Sequence, residues 1–201
     1  MKTWATLVAG LVAGSLVAGC SGGTAGEPVA TTSPTASSGL PHSGAPKVEN
    51  PIDTAGFEAS PCTMLTDQQL AEAEIGIENV KPDPGNSFGP TCTWYPPFEW
   101  GQFNAALLTA NKDGLSTMYQ KNLDGDWAFF EKLTIAAYPA VAADDNDDRK
   151  DGYCTVNVGV RDDLTLYVHV QLDDESPFYS DPCGGAEELA TMAIQTMTGG
   201  A

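Results

Sequence analysis

The sequence predicts an α+β domain: an antiparallel β-sheet with a helix near each end of the domain, closed by two disulfides. Three observations carry this. Cys154, Val156, Val158 and Val160 alternate with Thr155, Asn157 and Gly159, and Leu164, Leu166, Val168 and Val170 alternate with Thr165, Tyr167 and His169. Period-two alternation puts one set on a buried face and the other on a polar face, so two strands joined by the turn Arg161-Asp162-Asp163 are expected. Helix-start chemistry flanks the strand-rich middle, at Thr66 and again at Asp181. Four cysteines remain for cross-links once Cys20 is assigned elsewhere.

Each element follows in order. Thr66 with Gln69 three residues later makes a capping box, and Leu70, Ala73 and Ile77 continue at helical spacing to a stop at Gly76. Residues 79–90, with Pro82, Pro84, Gly85, Gly89 and Pro90, are predicted as a loop. Thr91-Cys92-Thr93-Trp94-Tyr95 is predicted as a strand, and residues 103–110 as its hairpin partner across Pro96-Pro97-Phe98-Glu99-Trp100-Gly101. Residues 114–123 predict a short helix with Leu115, Met118 and Tyr119 on one side. Residues 127–136 and 138–143 suggest further strands before the alternating hairpin. Asp181 as N-cap and Pro182 at the first helical position open the last helix, with Ala186, Leu189, Ala190, Ala193 and Met197 on one face.

The N-terminus is organised differently. Lys2 precedes an uncharged, mostly apolar run over residues 5–18, too short for a membrane span of roughly 20 residues, and Val17-Ala18-Gly19-Cys20 has the form of a lipoprotein cleavage site. Residues 1–19 are expected to be a lipoprotein signal peptide, with Cys20 the lipidated first residue of the mature chain. That makes the membrane a partner through acyl chains (palmitate among them) on Cys20, and places the chain on the extracytoplasmic face. Residues 20–50, rich in Ser, Gly, Thr, Ala and Pro, cannot bury enough surface to offset ordering entropy and are expected to be a disordered tether, His42 included. Residues 51–201 are then a single extracellular domain.

The chain carries a net charge of −18, one more negative once Lys2 leaves with the signal. Phosphate backbones and anionic lipid would be repelled, so nucleic acid is excluded as a partner. An even set of cysteines outside the cytoplasm implies disulfides. Four cysteines allow three pairings, and the near-equal spacings select Cys62–Cys92 and Cys154–Cys183, each bridge contributing about 3–4 kcal/mol by loop closure. A zinc site is disfavoured, because no C-x-x-C spacing occurs and no His lies close by.

Trp94, Tyr95, Phe98 and Trp100, near a Pro-containing hairpin, are the candidate binding surface, suited to stacking on a sugar or anchoring a protein. Trp94 has the competing role of packing beside a disulfide. Asp144-Asp145-Asn146-Asp147-Asp148, with Asp151, resembles a calcium loop in composition only: Arg149 stands where the EF-hand turn needs Gly, so a solvated loop is expected. His169 should face solvent or a covering helix. No G-x-S-x-G stretch and no free cysteine accompany it, so no catalytic residue, metal or cofactor is assigned.

Several short motifs in fixed order resemble a known family: Ser60-Pro61-Cys62-Thr63-Met64-Leu65-Thr66 with Leu70-Ala71, then Cys92-Thr93-Trp94, then Tyr138-Pro139-Ala140-Val141 ahead of Cys154-Thr155-Val156-Asn157-Val158, and Asp181-Pro182-Cys183 with Ala186, Leu189 and Ala190. Together they resemble a family of actinobacterial surface lipoproteins catalogued as a domain of unknown function. More distantly they are similar to extracellular sensor domains of actinobacterial receptor kinases. The resemblance implies an extracytoplasmic lipoprotein and brings no catalytic residues. The expected function is noncatalytic binding of an envelope protein or other ligand. A carrier of a lipid or other small apolar ligand, and an envelope glycan hydrolase, are the alternatives.

Overall fold

Seven strands make one sheet in the computed structural model, which describes residues 39–97 and 100–200. They are β1 (Asn79–Asp83), β2 (Thr91–Tyr95), β3 (Gln102–Leu107), β4 (Phe129–Ile135), β5 (Tyr138–Asp144), β6 (Tyr153–Arg161) and β7 (Leu164–Gln171), in the order β1-β2-β3-β7-β6-β5-β4. Every pairing is antiparallel. The predicted C-terminal hairpin therefore forms the centre of the sheet, with Cys154 opposite Val170 and Val156 opposite Val168. On its other side β7 takes β3, with Ala105 opposite Val168 and Asn104 opposite His169.

The helices are α1 (Ala55–Ala59), α2 (Asp67–Glu72), α3 (Leu115–Asp124) and α4 (Pro182–Met197). The capping box forms at Thr66, whose hydroxyl accepts from the backbone of Gln69 while the Gln69 side chain accepts from the backbone of Thr66. Asp181 caps α4 by accepting from the backbone of Gly184 at 3.0 Å, and Pro182 occupies the first turn.

One face of the sheet is dry. Val156, Val158, Val160, Leu166, Val168 and Val170 are each at most 1% exposed and form the main core with Ala186, Leu189, Ala190 and Ala193 of α4. Both disulfides form as expected: Cys62–Cys92, with Cα atoms 5.0 Å apart, ties a 3₁₀ turn (Pro61–Met64) to β2, and Cys154–Cys183, at 5.1 Å, ties β6 to the first turn of α4. Burial at this density, at about 25 cal/mol per Å² of apolar surface, makes this face the main source of stability.

The opposite face is polar, as expected, and much of it is also buried. Thr155, Asn157 and Thr165 are 6%, 2% and 0% exposed. Farther along β6 on this face, α3 and the segment before the expected domain start close over Gly159. Leu115 and Val48 press on Gly159, where a Cβ would stand 2.9 Å from Leu115 Cδ1 and 3.2 Å from Val48 Cγ2; the strand needs glycine there because two apolar side chains close over it. Residues 39–50, expected in the tether, are docked: the backbone N–H of His42 donates to Ser116 Oγ at 2.9 Å, and that of Val48 to Asp162 Oδ1 at 2.8 Å. A Pro- and Ser-rich composition hid this, since the apolar contacts come from single residues, Ala45 and Val48, with no periodicity.

Two local readings are also corrected. The predicted loop over residues 79–90 contains β1, an exposed edge strand in which Pro82 is tolerated because its nitrogen needs no second partner. The first helix ends at Glu72 rather than at Gly76, with Glu74 at φ 59° and the Ile75 N–H closing onto Leu70 O at 2.8 Å.

Candidate functional site

The expected aromatic surface does not assemble. Trp94 is 2% exposed, stacked on Phe103 with ring centroids 5.5 Å apart on the dry face. Tyr95, one residue on, points to the other face, its ring beneath Lys81 Nζ at 4.6 Å. Trp100 is half-buried and packs toward Phe103, Phe178 and Leu189 on the α4 side. Phe98 lies outside the described residues, as does Cys20.

The sheet instead forms a concavity on its polar side. Successive inward residues of four strands make the floor: Thr91 and Thr93 of β2, Asn104 and Ala106 of β3, Tyr167 of β7, Thr155 and Asn157 of β6. The space above encloses about 510 Å³, within the roughly 300–1,000 Å³ range of small-molecule sites. Met118 and Trp127 form one wall, Asp144 and Asp145 stand at the end of β5, and Asn86 and Phe88 reach in from the β1–β2 loop.

Those walls are held by specific contacts. Trp127 Nε1 donates to the Met118 carbonyl at 2.9 Å, and Lys121 Nζ lies 3.8 Å over the Trp127 ring while pairing with Asp145. The β1–β2 loop is pinned by Asn86 Oδ1 accepting from the Phe88 N–H at 3.0 Å and by the Ala110 N–H donating to Phe88 O at 3.1 Å. Gly89 has φ 146°, and a Cβ there would collide with the Leu107 carbonyl, so the loop lies flat on β3 only with glycine. The outcome is a large apolar ring, Phe88, left 70% exposed on an anchored backbone.

The floor is polar and incompletely paired. Thr155 Oγ1 donates to Asp144 Oδ2 at 2.7 Å and stands 3.0 Å from His169 Nδ1. Because that hydroxyl gives its single proton to Asp144, the imidazole acts as donor through Nδ1–H. The hydroxyl is thus shared by carboxylate and imidazole, and neither orients the other as a nucleophile–base pair requires. Burial holds the His169 pKa below its ordinary value, against the opposing pull of Asp144, and burial pushes the Tyr167 phenol up. Asn157 Oδ1 and Thr165 Oγ1 are buried with no hydrogen-bond partner among the described residues.

The acidic loop is occupied by the protein's own cations. Asp145 pairs with Lys121, Asp147 with Arg149, and Arg149 reaches on to Glu131 at 2.7 Å. The hydrogen bond from Arg149 holds the Asp147 carboxyl below its ordinary pKa. Among the described residues no three His, Cys, Asp or Glu side chains converge on a metal position.

Sequence reading placed Thr155, Asn157, Tyr167 and His169 on a common polar face but missed their union with Thr93 and Asn104. The alternation of Thr91 and Thr93 about Cys92 was the available signal. The β3–β7 pairing that joins the two sets is nonlocal and leaves no trace in local pattern.

A family model described as "Protein of unknown function (DUF3558)" matches residues 15–196 of the chain. No curated protein and no solved structure matches it.

Proposed function

The chain belongs to this family of unknown function, and from there we propose that it is a lipid-anchored extracytoplasmic lipoprotein whose role is noncatalytic ligand recognition, with the concavity on the polar face of the sheet as its binding site. The observation that carries the reading is Asn157: an amide 2% exposed, lining the concavity, with its Oδ1 unpaired. A buried orphan acceptor costs about 1–3 kcal/mol, and here that cost falls on a side chain that also lines the concavity.

The setting supports it. Two disulfides suggest an oxidising or extracellular environment, and among the described residues no helix is long and apolar enough to cross a membrane. The family match begins at residue 15, so it takes in Cys20, the residue that would carry lipid, together with the domain. A hydrolase would need two carboxylates facing each other across the site; those that line it, Asp144 and Asp145, are sequence neighbours, and one is paired with Lys121. The competing reading, a carrier of apolar molecules, meets the polar floor: an acyl chain over Thr93, Asn104 and Asn157 would strip water from groups it cannot pair.

The reading is tested by bulk rather than by deletion. Thr93 is a half-buried strand residue on the floor, and Thr93→Phe fills the space with a residue that strands accept. Amide NMR of the Cys20→Ser variant, titrated with a small-molecule fraction of cell envelope, should show shifts clustered at Thr93, Asn104, Thr155 and Tyr167. Adding Thr93→Phe should abolish them. Shifts that persist in the filled variant, or that cluster on another surface, would remove this site.

A further inference from the structure

We propose that the ligand of the concavity is an uncharged carbohydrate, a sugar ring held between Phe88 and Trp127 with its hydroxyls on the amides and hydroxyls of the floor. This rests on the reading of the concavity as a binding site and goes on to name its occupant.

Charge removes the first alternative. Among the described residues neither Lys nor Arg lines the space, while Asp144 and Asp145 do. Phosphates, sulfates and carboxylates would enter against a like charge, and the cation at the rim, Lys121, is already paired with Asp145. The chain as a whole carries −18, which adds to the repulsion.

Cations are disfavoured by prior occupation. The one acidic–aromatic seat at the rim, between Asp145 and the Trp127 ring, is already filled by Lys121. Asp144 is engaged by the Thr155 hydroxyl at 2.7 Å. An incoming ammonium would have to displace an intramolecular one to reach the strongest site.

What remains is a surface of neutral hydrogen-bonding groups beneath two aromatic rings. Asn104 and Asn157 supply amides able both to donate and to accept, while the Asn86 amide is already engaged by Phe88 and Asp83. Thr91, Thr93 and Tyr167 supply hydroxyls. A sugar presents the matching set: hydroxyls that donate and accept in every direction, and a C–H face that lies against an aromatic ring. Asn157 lines the space with no side-chain hydrogen bond among the described residues, and a sugar hydroxyl can pair with an amide where a hydrocarbon cannot. Phe88, 70% exposed on a loop fixed by Gly89 and Asn86, has its apolar face available for stacking without further ordering.

The experiment uses the Cys20→Ser chain on an array of four probe sets. These are neutral oligosaccharides of glucose, mannose, galactose and arabinose; oligogalacturonates; chitosan oligomers; and a fluorescent fatty acid measured in solution. The expected result is retention on one or more neutral glycans and none on the oligogalacturonates. Thr93→Phe and, separately, Phe88→Ser should each weaken the retained glycan by about tenfold or more, the loss of one good contact. Phe88 is exposed enough that its replacement leaves the fold intact, so a Thr93→Phe variant that fails to fold does not spare the proposal. No retained neutral glycan, or one bound equally by wild type and Phe88→Ser, overturns it. If the fatty acid or chitosan binds instead and Thr93→Phe abolishes that binding, the uncharged carbohydrate is overturned while the site stands. If no probe binding responds to either variant, the carbohydrate assignment falls, and persistence of the envelope-extract shifts in Thr93→Phe brings the site down with it.

Discussion

The two faces of the central hairpin are built from the same two strands and do opposite things. On one, Val156, Val158, Leu166 and Val168 meet α4 in a dry layer stapled by Cys154–Cys183. On the other, Thr155, Asn157, Thr165 and Tyr167 lie under a partial cover, with a cavity above them and two buried oxygens unpaired. The first face has every feature that raises stability, and the second keeps several that lower it. A surface that retains buried, unsatisfied polar groups beside a concavity gives up stability, which the proposed binding role accounts for.

The largest test of that division removes the staple. Replacing Cys154 and Cys183 together by Ala frees a loop whose closure contributes about 3–4 kcal/mol. In a domain of this size the melting temperature should fall by roughly 6–16 °C, while ligand affinity measured well below the new midpoint stays within about twofold. Thermal denaturation followed by circular dichroism checks the first part. A loss of affinity without a loss of stability would show that the dry face also shapes the concavity, and the contrast between the faces would fail.

The dry face was legible in the sequence and the concave one only in fragments, for a physical reason. Apolar–polar alternation along a strand pair, the capping residues of a helix and the pairing of evenly spaced cysteines are local or near-local signals, and they predicted the hairpin, both disulfides and α4. Trp94 shows the limit: its residue type suggested a contact surface, but its place between Cys92 and the β2–β3 turn, on the same parity as Cys92, put it in the core. The concavity depends on β3 joining β7 across more than sixty residues of chain, on Val48 and Leu115 settling over Gly159, and on Gly89 letting a loop lie on β3. None of these has a periodicity.

A smaller effect of opposite sign comes from Asn157→Leu. Leucine is close to asparagine in size and has no oxygen to leave unpaired. Its introduction should change stability by between zero and about +1 kcal/mol, with ligand binding reduced by about tenfold. Urea denaturation alongside the NMR titration reads both. Destabilisation by more than about 1 kcal/mol would mean that Asn157 serves the fold, and the functional account of its orphan oxygen would be withdrawn.

The smallest effect is a pH dependence confined to the concave face. Burial lowers the His169 pKa from its ordinary 6.5, with Thr155 on Nδ1, Asp144 behind it, and the rings of Tyr167 and Tyr153 at 6.1 and 6.2 Å. A folded-state pKa below the unfolded one means that, as pH falls through 6.5, the unfolded chain takes up a proton the folded chain refuses. Stability therefore declines on acidification from 6.5 toward the lower folded value and has no contribution from this group above 6.5. Denaturation at several pH values should give a steeper slope in this window for wild type than for His169→Gln, whose neutral amide can still donate to Thr155. If the two slopes coincide, the imidazole is solvated in the folded state, and the cover that α3 and the N-terminal segment place over the polar face is looser than the dry face by more than its packing implies.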